Sequence, residues 1–159
     1  MKPRAPWWKG TRGEWWVVGQ GVLMAAVVFA PPVWWWVAPG RALGVALGVA
    51  LVALGLGLAA RAMRDLGPNL SPLPRPRRDA VLVTTGAFVR ARHPIYGGMI
   101  IAALGWALWR GSGLHLLLAA ILAVYMSAKA RHEEELLVAR FDGYAAYRNR
   151  TKRLIPWIF

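Results

Sequence analysis

The sequence predicts an all-α integral membrane protein with about four transmembrane helices, and three observations lead there. Four stretches carry no Asp, Glu, Lys or Arg: Trp15–Gly40, Ala42–Ala60, His93–Trp109 and Gly111–Ala128. A helix crossing the hydrocarbon core needs about 20 apolar residues, so the first two stretches reach that length and the last two suit a tight helical hairpin. The runs are apolar on every face, whereas barrel strands alternate, and only helices or closed barrels satisfy their backbone groups inside a bilayer. Composition agrees: 57% of the chain is hydrophobic and it holds 10 Trp.

Charge gives the orientation. The formal net charge is +13 from 20 Lys and Arg against 7 acids. Only Arg41 and Arg110 fall on one side of the four stretches; all other basic residues lie in the N-terminal arm, the middle loop and the C-terminal region. The positive-inside rule then puts both termini and the 64–92 loop in the cytoplasm of a multi-pass cell-membrane protein. Attraction to anionic membrane lipids accounts for this basicity, and nucleic acid is not an expected partner. The chain has no Cys, which excludes disulfides, thiolate catalysis and Cys-based metal sites. The first apolar stretch is longer than a signal-peptide core and is read as a retained span. The chain is read as one membrane-embedded unit, with 1–64 carrying spans one and two and 65–159 the functional core.

Each element has its own signature. Trp7, Trp8, Trp15 and Trp16 beside Lys9 and Arg12 form an interfacial anchor, and Trp34–Trp36 repeat it at the far end of span one. Pro31 and Pro32 kink that helix or end it early. Span two is Gly, Ala, Leu and Val, with Gly44 and Gly48 spaced as GxxxG, suited to close packing inside the monomer or to a dimer. The Asp65–Arg92 loop is long enough to be functional. Its prolines 68, 72, 74 and 76 favour an extended path ending in the apolar run Ala80–Val83 and then Thr84-Thr85-Gly86. Pro94 opens span three. Span four continues past Ala128 through Lys129–Arg140 in good helix formers, and the tail 154–159 returns to the interface.

Two clusters hold most of the reactive side chains. Arg90–Gly98 contains Arg92, His93, Pro94, Ile95 and Tyr96 at the cytoplasmic mouth of span three; read plainly, it is a basic cap with an aromatic-belt residue. Lys129–Glu135 contains Lys129, Arg131, His132, Glu133, Glu134 and Glu135 at the matching end of span four; read plainly, it is a solvated turn. A hairpin brings the two ends together, and acids and bases at the mouth of an apolar cavity suggest a binding site. Other motifs fail. Gly55-x-Gly57-x-x-Ala60 lacks a preceding strand, His132-Glu133 is not followed by the HExxH histidine, and His115 alone reads as a turn or interface residue. No metal site is expected.

The run Leu82-Val83-Thr84-Thr85-Gly86-Ala87-Phe88, then Arg92-His93-Pro94-Ile95-Tyr96-Gly97-Gly98, resembles the "LVTxGxY…RHPxYxG" of one enzyme family. Glu133-Glu134, Leu137, Phe141, Tyr144, Tyr147 and Leu154-Ile155-Pro156 resemble its "EExxLxxxFG…Y…Y…P". The family is the isoprenylcysteine carboxyl methyltransferase and phospholipid methyltransferase group of integral membrane enzymes, matched over roughly Leu66 to Pro156. The resemblance implies S-adenosylmethionine bound without a Rossmann domain, in a cytoplasmic pocket at the ends of the last two spans. It assigns cofactor contacts to Ala80, Val81, Leu82, Val83, Phe88, His93, Pro94, Ile95, Tyr96 and Glu133. Lys129 takes the place of the family's substrate-contacting Arg. Phe88 stands for a usual Tyr and Asp142 for a usual Gly.

Methyl transfer from a sulfonium is a positioning task. Glu133 and the Tyr96 face suit the donor's cations, while His93 or Arg92 suits its carboxylate. A lipid carboxylate acceptor needs only Lys129 to orient it, whereas an amine needs a base, for which Glu134 or Glu135 stands ready. The expected function is methylation of a lipophilic small molecule or lipid, with isoprenylcysteine-type carboxyl methylation preferred over N-methylation of a phospholipid amine or methylation of another lipophilic nucleophile. A non-catalytic membrane scaffold or carrier is the alternative of another class.

Overall fold

The computed structural model describes residues 12–35 and 40–154. The expectations for Trp7, Trp8, Lys9, Trp36 and the tail 155–159 lie outside the described residues. Five α-helices are formed and no strand occurs among the described residues: α1 (Glu14–Phe29), α2 (Arg41–Leu66), α3 (Pro94–Arg110), α4 (Gly113–Arg140) and α5 (Tyr144–Arg150). Short 3₁₀ turns follow α2 at Gly67–Asn69 and precede α3 at Gly86–Val89.

The helix boundaries follow local chemistry. Pro94 is the first residue of α3, where its missing N–H has no helical partner to lose. Gly111 ends that helix with φ 59, its N–H returning to Ala107 O and Leu108 O. The charge-free stretch of α1 does not become one long helix. Ahead of Pro31 and Pro32, α1 closes at Phe29 after 16 residues, about 24 Å at 1.5 Å per residue. Among the described residues, the helical segments Arg41–Asn69 and Gly113–Arg140 are the two long and apolar enough to cross a membrane. Their outer faces carry exposed Leu43, Leu47, Leu56, Leu117 and Val124, apolar surface of the kind a membrane protein presents to lipid.

The closest helix pair is α2 on α3. A Cβ on Gly48 would lie 2.6 Å from Trp109 N, and one on Gly105 would lie 2.6 Å from Gly48 O. A turn or two further along, Gly55 and Gly98 meet in the same manner, a Cβ on Gly98 lying 2.5 Å from Gly55 O. The working interval is therefore seven residues on each helix, so that small residues let the two backbones touch. Gly44 faces open space. The GxxxG pair is thus split, and its second glycine is committed inside the chain rather than to a dimer.

Helix α1 leans on α4. Trp16 packs on Tyr125 at 5.2 Å and on His132 at 5.9 Å between ring centroids, and Tyr125 Oη donates to Trp16 O at 3.0 Å. At the opposite end, Ser112 Oγ donates to Val33 O at 2.7 Å and Gly113 N to Trp34 O at 3.1 Å, tying the end of the α1 segment to the α3–α4 turn. His115 is fully buried in the first turn of α4.

Candidate active site

The middle loop is built rather than loose. Asn69 Oδ1 accepts from Val81 N at 2.9 Å, and Asp65 Oδ2 accepts from Ala87 N at 2.8 Å. Gly86 adopts φ 60 directly against the Asp65 carboxylate, a place that no side chain fits. These contacts hang the Ala80–Val89 segment on the end of α2. Tyr147 Oη then donates to Phe88 O at 2.6 Å, which clamps the segment to α5. Burial pushes the Tyr147 hydroxyl up to about 12, and burial together with the nearby Glu134 carboxylate also raises Tyr144.

The entrance to α3 is pinned from the C-terminal side. Arg92 N donates to Lys152 O at 2.9 Å, His93 N to Arg153 O at 2.8 Å, and Lys152 N to Arg90 O at 3.1 Å. This short ladder fixes where His93 and Tyr96 point as the helix begins. His93 and Tyr96 stack at 5.4 Å with planes 6° apart.

Opposite them lies the polar end of α4, and the two clusters meet as expected. Tyr96 Oη donates to Glu133 Oε2 at 2.8 Å, and His93 Nδ1 is 3.8 Å from the same oxygen. The Lys129 ammonium stands 5.1 Å from the centre of the Tyr96 ring. Between the clusters is a cavity of about 330 Å³, within the size range of small-molecule sites. Every predicted cofactor position lines it: Ala80–Val83, Phe88, His93–Tyr96 and Glu133, with Lys129 beside them. Arg131, by contrast, is exposed.

Glu134 is placed differently from the expectation. It does not line the cavity. Its carboxylate is 2.8 Å from Arg92 Nε, 3.4 Å from Arg153 Nε and 3.4 Å from His93 Nε2, with its side chain 3% exposed. A carboxylate so closed off has no path to an acceptor's proton, which argues against a general base. Glu135, with its side chain 78% exposed, points away from the cavity. Arg92 is mostly spent as well: besides Glu134 it donates through Nη1 to Arg148 O at 3.0 Å and to Thr151 O. It holds the wall together, and its expected role as an anion clamp for the cofactor is correspondingly reduced.

Several wall residues were not foreseen as such. Gln20 from α1, Asn69, Ser71–Leu73 from the Pro-rich loop, Met99 and Leu137 all face the cavity. Lys129 Nζ donates to Gln20 Oε1 at 2.6 Å and to Pro72 O at 3.2 Å. The isolated polar residue in the first apolar stretch and the length of the Pro-rich loop were the available signals.

The lining fits S-adenosylmethionine. Glu133 reaches the cavity bonded to neutral Tyr96 and, among the described residues, forms no direct ion pair with an Arg or Lys, leaving its oxygens open to a cationic ligand. Phe88, Tyr96, Phe141, Tyr144 and Tyr147 supply aromatic faces. Tyr144 Oη is buried on this wall with no hydrogen-bond partner among the described residues, a donor left for a ligand.

An α-helical membrane protein with a mainly apolar cavity at the joined ends of two helices, with a carboxylate and an ammonium in its wall, defines a class of membrane-embedded small-molecule enzyme sites. A family model for phospholipid methyltransferases matches residues 43–143, and the chain belongs to that family. It is 36% identical over 109 residues to the protein-S-isoprenylcysteine O-methyltransferase of Schizosaccharomyces pombe, covering 66% of this chain and 46% of the relative. The protein of the same name in Saccharomyces cerevisiae is 34% identical over 116 residues, covering 70% and 48%. Methanethiol S-methyltransferase 1 of Bradyrhizobium diazoefficiens is 42% identical over 67 residues, covering 42% and 23%. The chain therefore spans less than half the length of each of these curated relatives.

Proposed function

We propose that this protein transfers a methyl group from S-adenosylmethionine to a lipophilic acceptor at the membrane, with an isoprenylcysteine-type carboxylate as the preferred nucleophile. The observation that carries the reading is the shared cavity: Glu133 and Lys129 open into one space, one suited to a cationic donor and the other to an anionic acceptor. The family and the two relatives named as isoprenylcysteine O-methyltransferases support the same reaction.

When bound, S-adenosylmethionine supplies an electrophilic methyl on a cationic sulfur. The residues do the positioning. Ala80–Val83 and Phe88 offer backbone and an apolar face for the adenosyl group, while Glu133 and the Tyr96 ring complement positive charge. Lys129 orients the acceptor's anionic group without removing a proton. Alignment of this kind is worth several kcal/mol of barrier, about 7–11 in well-oriented intramolecular models. No metal is required. A phospholipid amine is less well served, because it must lose a proton and Glu134 is closed off by Arg92 and Arg153. The likeness to a methanethiol methyltransferase keeps a thiolate acceptor as the second reading, since it is also an anion.

The same reading takes all four charge-free stretches as membrane-crossing, with both termini and the cavity on the cytoplasmic side, so that a polar donor enters from water and a lipophilic acceptor from between helices. The test is mass spectrometry of a membrane-lipid extract incubated with purified protein and isotopically labelled methyl donor. Labelled methyl esters of prenylated cysteine are the expected product. Label confined to phospholipid headgroups contradicts the carboxylate assignment, and no labelled product supports a scaffold or carrier.

A further inference from the structure

The Lys129 ammonium is 1% exposed and its hydrogen-bond and ring partners are neutral: the Gln20 amide oxygen at 2.6 Å, the Pro72 carbonyl at 3.2 Å and the Tyr96 ring face at 5.1 Å; the Glu133 carboxylate, one helical turn on, acts on it only through space. No carboxylate among the described residues forms an ion pair with it, and Glu133 is turned to Tyr96 instead. A Lys ammonium has three N–H donors and no acceptor. Two donors are used here and the third remains. A buried charge hydrogen-bonded only by neutral groups gains from a counter-ion that takes its free donor.

Gln20 is the residue that makes this arrangement. It comes from α1, outside the segment 43–143 that the family model matches, and 109 residues before Lys129. Since ammonium cannot accept, the amide oxygen must face it, which turns the amide nitrogen toward Met99 Sδ at 3.8 Å and Met24 Sδ at 3.9 Å. The position is rigid: Gly19, next in line, packs directly on the Tyr125 ring, whose hydroxyl is bonded to Trp16 O. A carboxylate at residue 20 would neutralise Lys129, and an apolar residue would release it. An amide does neither.

We propose that Gln20 is a positioning residue for acceptor selection: it holds the Lys129 ammonium facing the cavity without a direct ion pair, so that the site takes acceptors whose nucleophile is an anion and rejects amines. The inference rests on the methyltransferase reading above. In the step it serves, the acceptor oxygen or sulfur forms a bond to the methyl carbon while the sulfonium C–S bond breaks, its electron pair passing to sulfur. No proton is released. The acceptor's negative charge and the sulfonium's positive charge vanish together, so the methylated product no longer pairs with Lys129, which returns to Gln20 and Pro72. The same contact that selects the substrate thereby weakens on the product.

The experiment compares N-acetyl-S-farnesyl cysteine as the free acid and as its primary amide. Each is titrated against detergent-purified protein saturated with S-adenosylhomocysteine, reading thermal stabilisation, and the acid is then used in steady-state kinetics with S-adenosylmethionine. Wild type is expected to bind the acid about ten- to hundredfold tighter than the amide, the span of one charge-assisted hydrogen bond. Gln20→Glu is expected to collapse that ratio towards one and to raise KM for the acid with kcat changed far less, while S-adenosylhomocysteine binding is kept. Gln20→Met, apolar and of similar length, keeps the fold readable if the carboxylate variant does not assemble, and is expected to raise KM for the acid about tenfold. An unchanged acid-to-amide ratio in the variants overturns the role of Gln20 alone. A wild type that binds neither probe and methylates no acid overturns the functional reading beneath it.

Discussion

Tyr96 Oη and Glu133 Oε2 are 2.8 Å apart, a bond between the first turn of α3 and the polar end of α4. It joins two residues of the cavity wall and holds the Glu133 carboxylate there. Glu133→Ala is expected to weaken S-adenosylhomocysteine binding about ten- to hundredfold, as loss of a charge-assisted contact does. Tyr96→Phe keeps the ring but frees the carboxylate, and a smaller loss of about three- to tenfold is expected. Isothermal titration calorimetry reads both, and equal affinity in Glu133→Ala removes that residue from the site.

Arg92 and Glu134 make a buried pair, with Arg153 and His93 around the same oxygen. Breaking such a pair by neutralising one partner costs about 3–5 kcal/mol, because the other charge stays buried. Glu134→Gln should therefore lower the melting temperature markedly, and activity should fall in step with folded protein. A variant that melts like wild type yet is inactive would instead identify Glu134 as a chemical group.

The α2–α3 contact predicts a contrast between glycines on one helix. Gly55→Leu forces a side chain into the α3 backbone near Gly98 and Ala102, whereas Gly57 faces open space. Overpacking of this sort costs about 1–3 kcal/mol or more. Gly55→Leu should melt well below wild type in detergent and Gly57→Leu close to it. Equal melting of the two variants would contradict the packing.

Alkaline stability should report the α5 clamp. An unfolded Tyr ionises near pH 10 (about 10 in model peptides), but Tyr147, buried and bonded to Phe88 O, holds its proton up to about 12. Above pH 10 the unfolded state loses this proton first, so stability falls as pH rises from about 10 to 12, by on the order of 1.4 kcal/mol per unit for this group. Tyr147→Phe removes the ionisation and should flatten that fall in melting temperature measured across the window. A slope unchanged in the variant would assign the alkaline loss elsewhere.

Most of the helices were legible because each carries local punctuation. Pro31 and Pro32 end α1, Pro94 begins α3, and α4 runs through its good helix formers to Arg140. The convergence of the His93–Tyr96 and Lys129–Glu133 clusters was legible too, since a tight hairpin leaves its ends little choice. The roles of adjacent glutamates were not. Successive helical residues point about 100° apart, at 3.6 residues per turn, so one of Glu133 and Glu134 had to face the cavity and the other had to face away. Only the position of Arg92, set by its ladder to Lys152, decides which. Gln20 was equally hidden: nothing in a chain read along its length links it to a lysine 109 residues away.

The central claim is that the joined ends of α3 and α4 form one binding site for a sulfonium nucleoside. Calorimetric titration of the detergent-purified protein with S-adenosylhomocysteine tests it most directly. Saturable binding near one ligand per chain, weakened about ten- to hundredfold in Glu133→Ala protein that still melts like wild type, is the predicted result. Absence of binding heat, together with an unshifted melting temperature at millimolar ligand, would contradict the account.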